Sequence, residues 1–139
     1  MNQLTATFPI QISFSDVDSL GIVWHGHYIK YFEFAREAFA KKHHIDYLTA
    51  KAHGFALPIV KTNTEHKLTL KYGQNPTIKV ELIPKESAKI VYKYTIYNED
   101  NQVVCLGETT QVFTHFEINE LALVFPEYYK TALKQMLND

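Results

Sequence analysis

The chain has 139 residues, 46% of them hydrophobic, enough for one core-bearing domain spanning 1–139. Its 14 basic and 15 acidic residues leave a net charge of -1, which excludes an extended electrostatic surface for nucleic acid or an anionic membrane. No apolar stretch approaches the roughly 18 residues of a membrane span. The opening Met1-Asn2-Gln3-Leu4-Thr5 also lacks the basic and apolar regions of a signal peptide, so a cytoplasmic protein is expected.

The elements follow in order. A strand is expected over most of residues 1–15: Phe8, Ile10, Ile12 and Phe14 alternate with Pro9, Gln11 and Ser13, giving one apolar face at period two, with Pro9 marking an edge or a strand start. From Tyr28 the spacing changes. Tyr28, Tyr31, Phe32, Ala35, Ala38 and Phe39 recur every three or four residues while Lys30, Glu33, Glu37 and Lys41 fall elsewhere, which predicts a long helix buried along one broad face. A less regular stretch runs through Gly54. Strands are then expected over 57–70, 77–83, 89–97 and 103–116, punctuated by the turn formers Gly73-Gln74-Asn75-Pro76 and Asn98-Glu99-Asp100-Asn101. Phe125-Pro126-Glu127 opens a short last helix carrying Leu133, Met136 and Leu137. This order implies an α+β fold whose sheet wraps the long helix. One helix leaves much of a sheet uncovered, so the chain is expected to form oligomers.

The chemistry concentrates in Phe14-Ser15-Asp16-Val17-Asp18-Ser19-Leu20-Gly21-Ile22-Val23-Trp24-His25-Gly26-His27-Tyr28, an acidic loop and a glycine directly ahead of the helix. The N–H groups and macrodipole of a helix start favour negative charge. A carboxylate held nearby could attack, or send water against, a carbonyl whose oxygen those N–H groups polarise, which reads as acyl transfer. Asp18 also has an ordinary reading as a cap or turn residue, the one preferred for Asp16.

The segment from Asp16 to Tyr28, continuing through Tyr31-Phe32-Glu33, resembles the 4-hydroxybenzoyl-CoA thioesterase-like (YbgC-like) acyl-CoA thioesterases of the hotdog superfamily. The shared signature is an acidic Asp-x-Asp loop, Gly-Ile-Val, an aromatic followed by a histidine, and a tyrosine on the helix. It extends more weakly through Leu57-Pro58-Ile59-Val60 and the later hairpins. The resemblance implies a hotdog fold, a five-stranded antiparallel sheet around one long helix, with a short C-terminal helix here. It also implies homodimers or homotetramers with sites at the subunit interface. By the same resemblance Asp18 is nucleophile or general base, the His25 backbone N–H polarises the thioester carbonyl, and Gly21 lets the loop approach closely. Thiolate is a good leaving group, so an attacking oxygen and an oxyanion pocket suffice, with no metal or cofactor. The substrate would be an acyl-CoA or the thioester of an acyl carrier protein. Alternatives are a hotdog hydratase or dehydratase and a non-catalytic acyl-thioester binding protein.

Other residues carry weaker signals. Trp24 and Tyr28 are candidates for lining an acyl pocket or for the core, and Glu33 for a neighbouring subunit's pocket or a solvated helix face. The His25 side chain could orient the loop, bond Asp18 or touch substrate. Lys85 and Lys89 flank a hairpin and could meet coenzyme A phosphates, although a solvated turn is preferred. The pairs His25-x-His27 and His43-His44 lack the spacing of a metal site. Lone Cys105 reads as a buried strand thiol. There is no dinucleotide fingerprint, phosphate loop or Gly-x-Ser-x-Gly elbow.

Overall fold

The computed structural model describes residues 3–138. Met1, Asn2 and Asp139 lie outside the described residues, and with them the first two positions of the expected N-terminal strand and both ends of the expected domain. The elements are β1 (Thr5–Pro9), α1 (His27–Lys42), α2 (Tyr47–Ala52), β2 (Phe55–Ala56), β3 (Ile59–His66), β4 (Thr77–Ile83), β5 (Lys89–Tyr97), β6 (Val103–Val112), β7 (Thr114–His115) and α3 (Glu127–Asn138). Five strands form one antiparallel sheet in the order β1-β4-β5-β6-β3, and β2 pairs with β7 in a small second sheet. The main sheet and α1 form the hotdog arrangement expected.

The centre of the sheet follows its alternation, with Val91 of β5 buried as well on the opposite face. Ile78, Val80 and Leu82 on β4 and Ile90, Tyr92, Tyr94 and Ile96 on β5 point to the core, and both strands begin and end where the pattern predicts. Against them α1 lays Tyr28, Tyr31, Phe32, Ala35, Phe39 and Ala40. Ala38, expected on that face, is exposed; the stripe passes through Ala40 instead.

One glycine sets how near the helix comes. The Phe32 ring lies directly over Gly107 on β6 and stacks on Tyr94 at 4.6 Å and 10°. A Cβ at Gly107 would overlap that ring. Gly107→Ala therefore forces the helix or the ring to shift, and thermal unfolding should show a loss of about 1–3 kcal/mol. An unchanged midpoint would mean that the helix stands off more freely than the packing implies.

Three expectations are corrected. The first strand ends at Pro9 and does not run on towards residue 15: the Ile10 N–H still donates to the Pro76 carbonyl at 2.9 Å, but Pro76 has no N–H to return, and the chain then enters a 3-10 turn at Phe14–Asp16. Ile10 and Ile12 remain buried, but Phe14 is 76% exposed because that turn rotates it off the strand face. The irregular stretch before Gly54 contains α2, too short to show a helical period. The segment 57–70 holds only β3, which begins after Pro58 and ends at His66, with β2 lying ahead of it; 103–116 is divided at Phe113, between β6 and β7, as the chain passes to the small sheet. The last helix begins at Glu127 as expected, burying Met136 and half-burying Leu133 while Leu137 is exposed.

Edge strand β3 is exposed along all eight of its residues. Its backbone groups on the side away from β6 have no neighbouring strand in the sheet.

Candidate active site

The acidic loop folds into a narrow hairpin before α1. Val17 bridges Val23, the Trp24 N–H donates to the Asp16 carbonyl at 3.0 Å, and the Asp18 N–H donates to the Ile22 carbonyl at 3.0 Å. The tip turns where the Gly21 N–H donates to the Asp18 carbonyl at 2.9 Å. Gly21 has φ +77, a left-handed conformation that favours glycine, and a Cβ there would meet nothing within 4 Å. Turn geometry, and not a close approach within the protomer, is what requires the glycine. The hairpin is docked by Val23 N–H to the Leu70 carbonyl at 2.8 Å and by Tyr72 N–H to the Gly21 carbonyl at 3.0 Å.

The two acids of the loop have different surroundings. Asp16 is buried, 1% exposed, and its carboxylate accepts from the Ser13 N–H at 3.0 Å, the Tyr31 hydroxyl at 3.0 Å and the Lys30 ammonium at 3.1 Å. Burial by itself would raise its pKa; the Ser13, Lys30 and Tyr31 donors outweigh that and hold it below the usual carboxylate value. Burial and the Asp16 carboxylate together push the Tyr31 phenol upward, so it remains a donor. Asp16 is a structural post joining the hairpin to α1.

Asp18 is exposed. Its Oδ1 accepts from the Leu20 N–H at 2.9 Å and the Ile22 N–H at 3.3 Å, and no donor among the described residues occupies Oδ2. One oxygen anchors the carboxylate to its own turn and the other is left open. A carboxylate so held can present that oxygen as nucleophile or base in a fixed direction.

Two further groups are available at the helix start. The N-cap is Gly26, which makes no side-chain cap bond, and among the described residues the backbone N–H groups of His25 and Gly26 donate to no acceptor. They stand at the positive end of α1. The Trp24 indole, 54% exposed, lies across Gly26 where any Cβ would collide with it, and touches the His25 and His27 rings at 5.1 and 5.4 Å. Trp24, His25 and Gly21 thus share one hairpin with Asp18.

Tyr28 and Glu33 fall elsewhere. Tyr28 is 2% exposed, its hydroxyl accepting from the Leu70 N–H at 3.1 Å, so it is a core residue pinning the helix start and is corrected as a candidate lining residue. Glu33 shares no hydrogen bond with the hairpin. It accepts from Arg36 at 2.8 Å, and Arg36 continues to the Tyr94 hydroxyl at 3.4 Å beside a cavity of about 440 Å³ that Glu33 also lines.

Lys85 and Lys89 are exposed about the β4–β5 turn. Cys105 is buried, and burial pushes its thiol up to about 11. Among the described residues no group of three His, Cys, Asp or Glu side chains converges as metal ligands, and no helix is long and apolar enough to cross a membrane.

His66 escaped the sequence reading. It reaches the helix start from the end of β3, its ring 5.2 Å from that of Tyr28 and 6.1 Å from that of His25. No local motif announces it, because only the β3–β6 register brings it there.

A family model, that of the thioesterase-like superfamily, matches residues 12–133. The acyl-CoA thioester hydrolase YbgC of Escherichia coli O6:H1 is 23% identical over 112 residues, covering 81% of this chain and 84% of that protein. Among solved structures, the DHNA-CoA thioesterase of Staphylococcus aureus superposes with a TM-score of 0.83 at 22% identity, covering 96% of this chain and 91% of that one. A mutant 4-hydroxybenzoyl-CoA thioesterase complexed with 4-hydroxybenzoyl-CoA superposes with a TM-score of 0.80 at 21% identity, covering 94% and 99%.

Proposed function

We propose, from the premise that the chain belongs to the thioesterase-like superfamily, that it is an acyl-CoA thioesterase whose reaction is carried out at the Asp18 hairpin. The chemistry is hydrolysis of an acyl-CoA to the free acid and coenzyme A. The observation that carries the assignment is the pairing on one hairpin of a carboxylate with one open oxygen and a helix start with two unused N–H groups.

In this reading the thioester carbonyl oxygen accepts from the His25 N–H at the positive end of α1. Asp18 Oδ2 then attacks the carbonyl carbon, or takes a proton from a water that does so. The tetrahedral oxyanion collapses with departure of the coenzyme A thiolate, which takes up a proton as the free thiol. After direct attack, water hydrolyses the acyl-aspartyl anhydride and returns the carboxylate. Trp24 flanks the N–H donors and meets the acyl group or the pantetheine arm.

Thiol release across a panel of acyl-CoA thioesters, with acyl carrier protein thioesters alongside and product analysis, tests the reading. Free acid and free thiol in equal amounts are expected. A hydrated acyl-CoA would assign a hydratase, and binding without conversion an acyl-thioester binding protein.

The working unit in this proposal is a cytoplasmic homodimer or dimer of dimers of one domain, joined through the open edge of β3. Eight exposed strand residues with unpaired backbone groups support this. Sedimentation at micromolar concentration should give a dimer or tetramer. A monomer that is fully active would refute it.

A further inference from the structure

His66 is the last residue of β3 and pairs across the ladder with Cys105 of β6. Its Nδ1 lies 3.8 Å from the Cys105 Sγ. One face of its environment is therefore the buried thiol; the others are the Tyr28 ring and the T-shaped contact, at 80°, with the His25 ring. The end of an edge strand, a core thiol and the first turn of α1 meet at this exposed imidazole. Core packing does not call for a histidine there.

The sulfur contact ties the ring to β6. The buried Cys105 Sγ also donates to the Leu106 carbonyl at 3.6 Å, and the Nδ1 edge of the imidazole is turned towards that sulfur.

We propose that His66 is a positioning residue for thioester hydrolysis: anchored by Cys105, its ring buttresses His25 and fixes the backbone of residues 24–26, where the His25 N–H receives the carbonyl oxygen. This rests on the reading of Asp18 and His25 given above. The segment needs such support. Gly26 offers no side chain to wedge the turn, no side chain caps the helix, and Trp24 beside it is half exposed. A small misplacement of an oxyanion donor lowers rate without altering how tightly the remote parts of a substrate bind.

The test uses the full chain and the panel substrate that wild type hydrolyses fastest, comparing Asp18→Asn, His66→Ala and His66→Phe. His66→Ala should lose about tenfold in kcat with KM within about twofold and an unchanged unfolding midpoint, since the side chain is exposed. His66→Phe, which restores a ring against His25 without the sulfur anchor, should recover about threefold of that loss. Wild-type kcat in His66→Ala, a loss confined to KM, or no recovery with phenylalanine would each overturn the proposal. Full turnover in Asp18→Asn would instead sink the reading beneath it.

Discussion

Asp18→Asn lowers turnover by about a hundredfold or more, equivalent to roughly 2.7 kcal/mol of barrier. The asparagine keeps an Oδ1 that can accept from the Leu20 and Ile22 N–H groups, so the turn survives. What it loses is the anionic second oxygen, replaced by an NH₂ that can neither attack a carbonyl nor accept a proton from water. The residue is exposed and its anchoring is retained, so thermal unfolding should move by no more than about 0.5 kcal/mol. Substrate binding should also persist. Steady-state kinetics with a binding measurement on the same variant checks both halves. Wild-type turnover would remove Asp18 from the mechanism, and a collapse of stability would turn it into a structural residue.

The largest stability effect is expected at its neighbour. Asp16→Ala removes a buried carboxylate and leaves the Ser13 N–H and the buried Tyr31 hydroxyl without their acceptor. Lys30, 41% exposed, can turn to water, which places the cost at the lower end of that for breaking a buried pair, about 3 kcal/mol. The pH dependence follows from the lowered pKa. Its hydrogen-bonded carboxylate is favoured in the folded state, so the contribution is fully present above the unfolded carboxylate value of about 3.9 and is lost as pH falls through the lower folded value. Asp16→Asn should therefore flatten the acid limb of the stability curve while reducing turnover far less than Asp18→Asn. Chemical denaturation between about pH 2 and 6 measures this. An acid limb identical to wild type, or a greater loss of turnover at Asp16 than at Asp18, would reverse the roles of the two acids.

What the sequence alone made legible depended on how local its determinants were. β4 and β5 were read to the residue because each side chain faces either core or outside with no proline or glycine to break the alternation. The N-terminal strand was over-extended because Ile10 and Ile12 stay buried after pairing ends, so hydrophobic period outlasts the ladder. Spacing could not separate Asp16 from Asp18, two residues apart in one loop. The separation needs Lys30 and Tyr31 of α1 to close over one of them. Tyr28 looked equally suited to pocket or core until the Leu70 N–H claimed its hydroxyl. His66 had no signal, since a histidine at a strand end is unremarkable until the opposing strand supplies Cys105.

The hairpin bearing Asp18 is made in two stages that differ in range. Its internal bonds close over a handful of residues, whereas its bonds to Leu70 and Tyr72 wait for α1, α2, β2 and β3 to be laid down between them. Closing that long excursion carries an entropic cost that the short turn does not. The carboxylate therefore acquires its orientation early and its location late. A partly denatured protein is therefore expected to undock the hairpin from residues 70–72 while β4, β5 and β6 remain paired, and, on the role proposed for Asp18, such a population would register as native by backbone spectroscopy yet be silent in turnover.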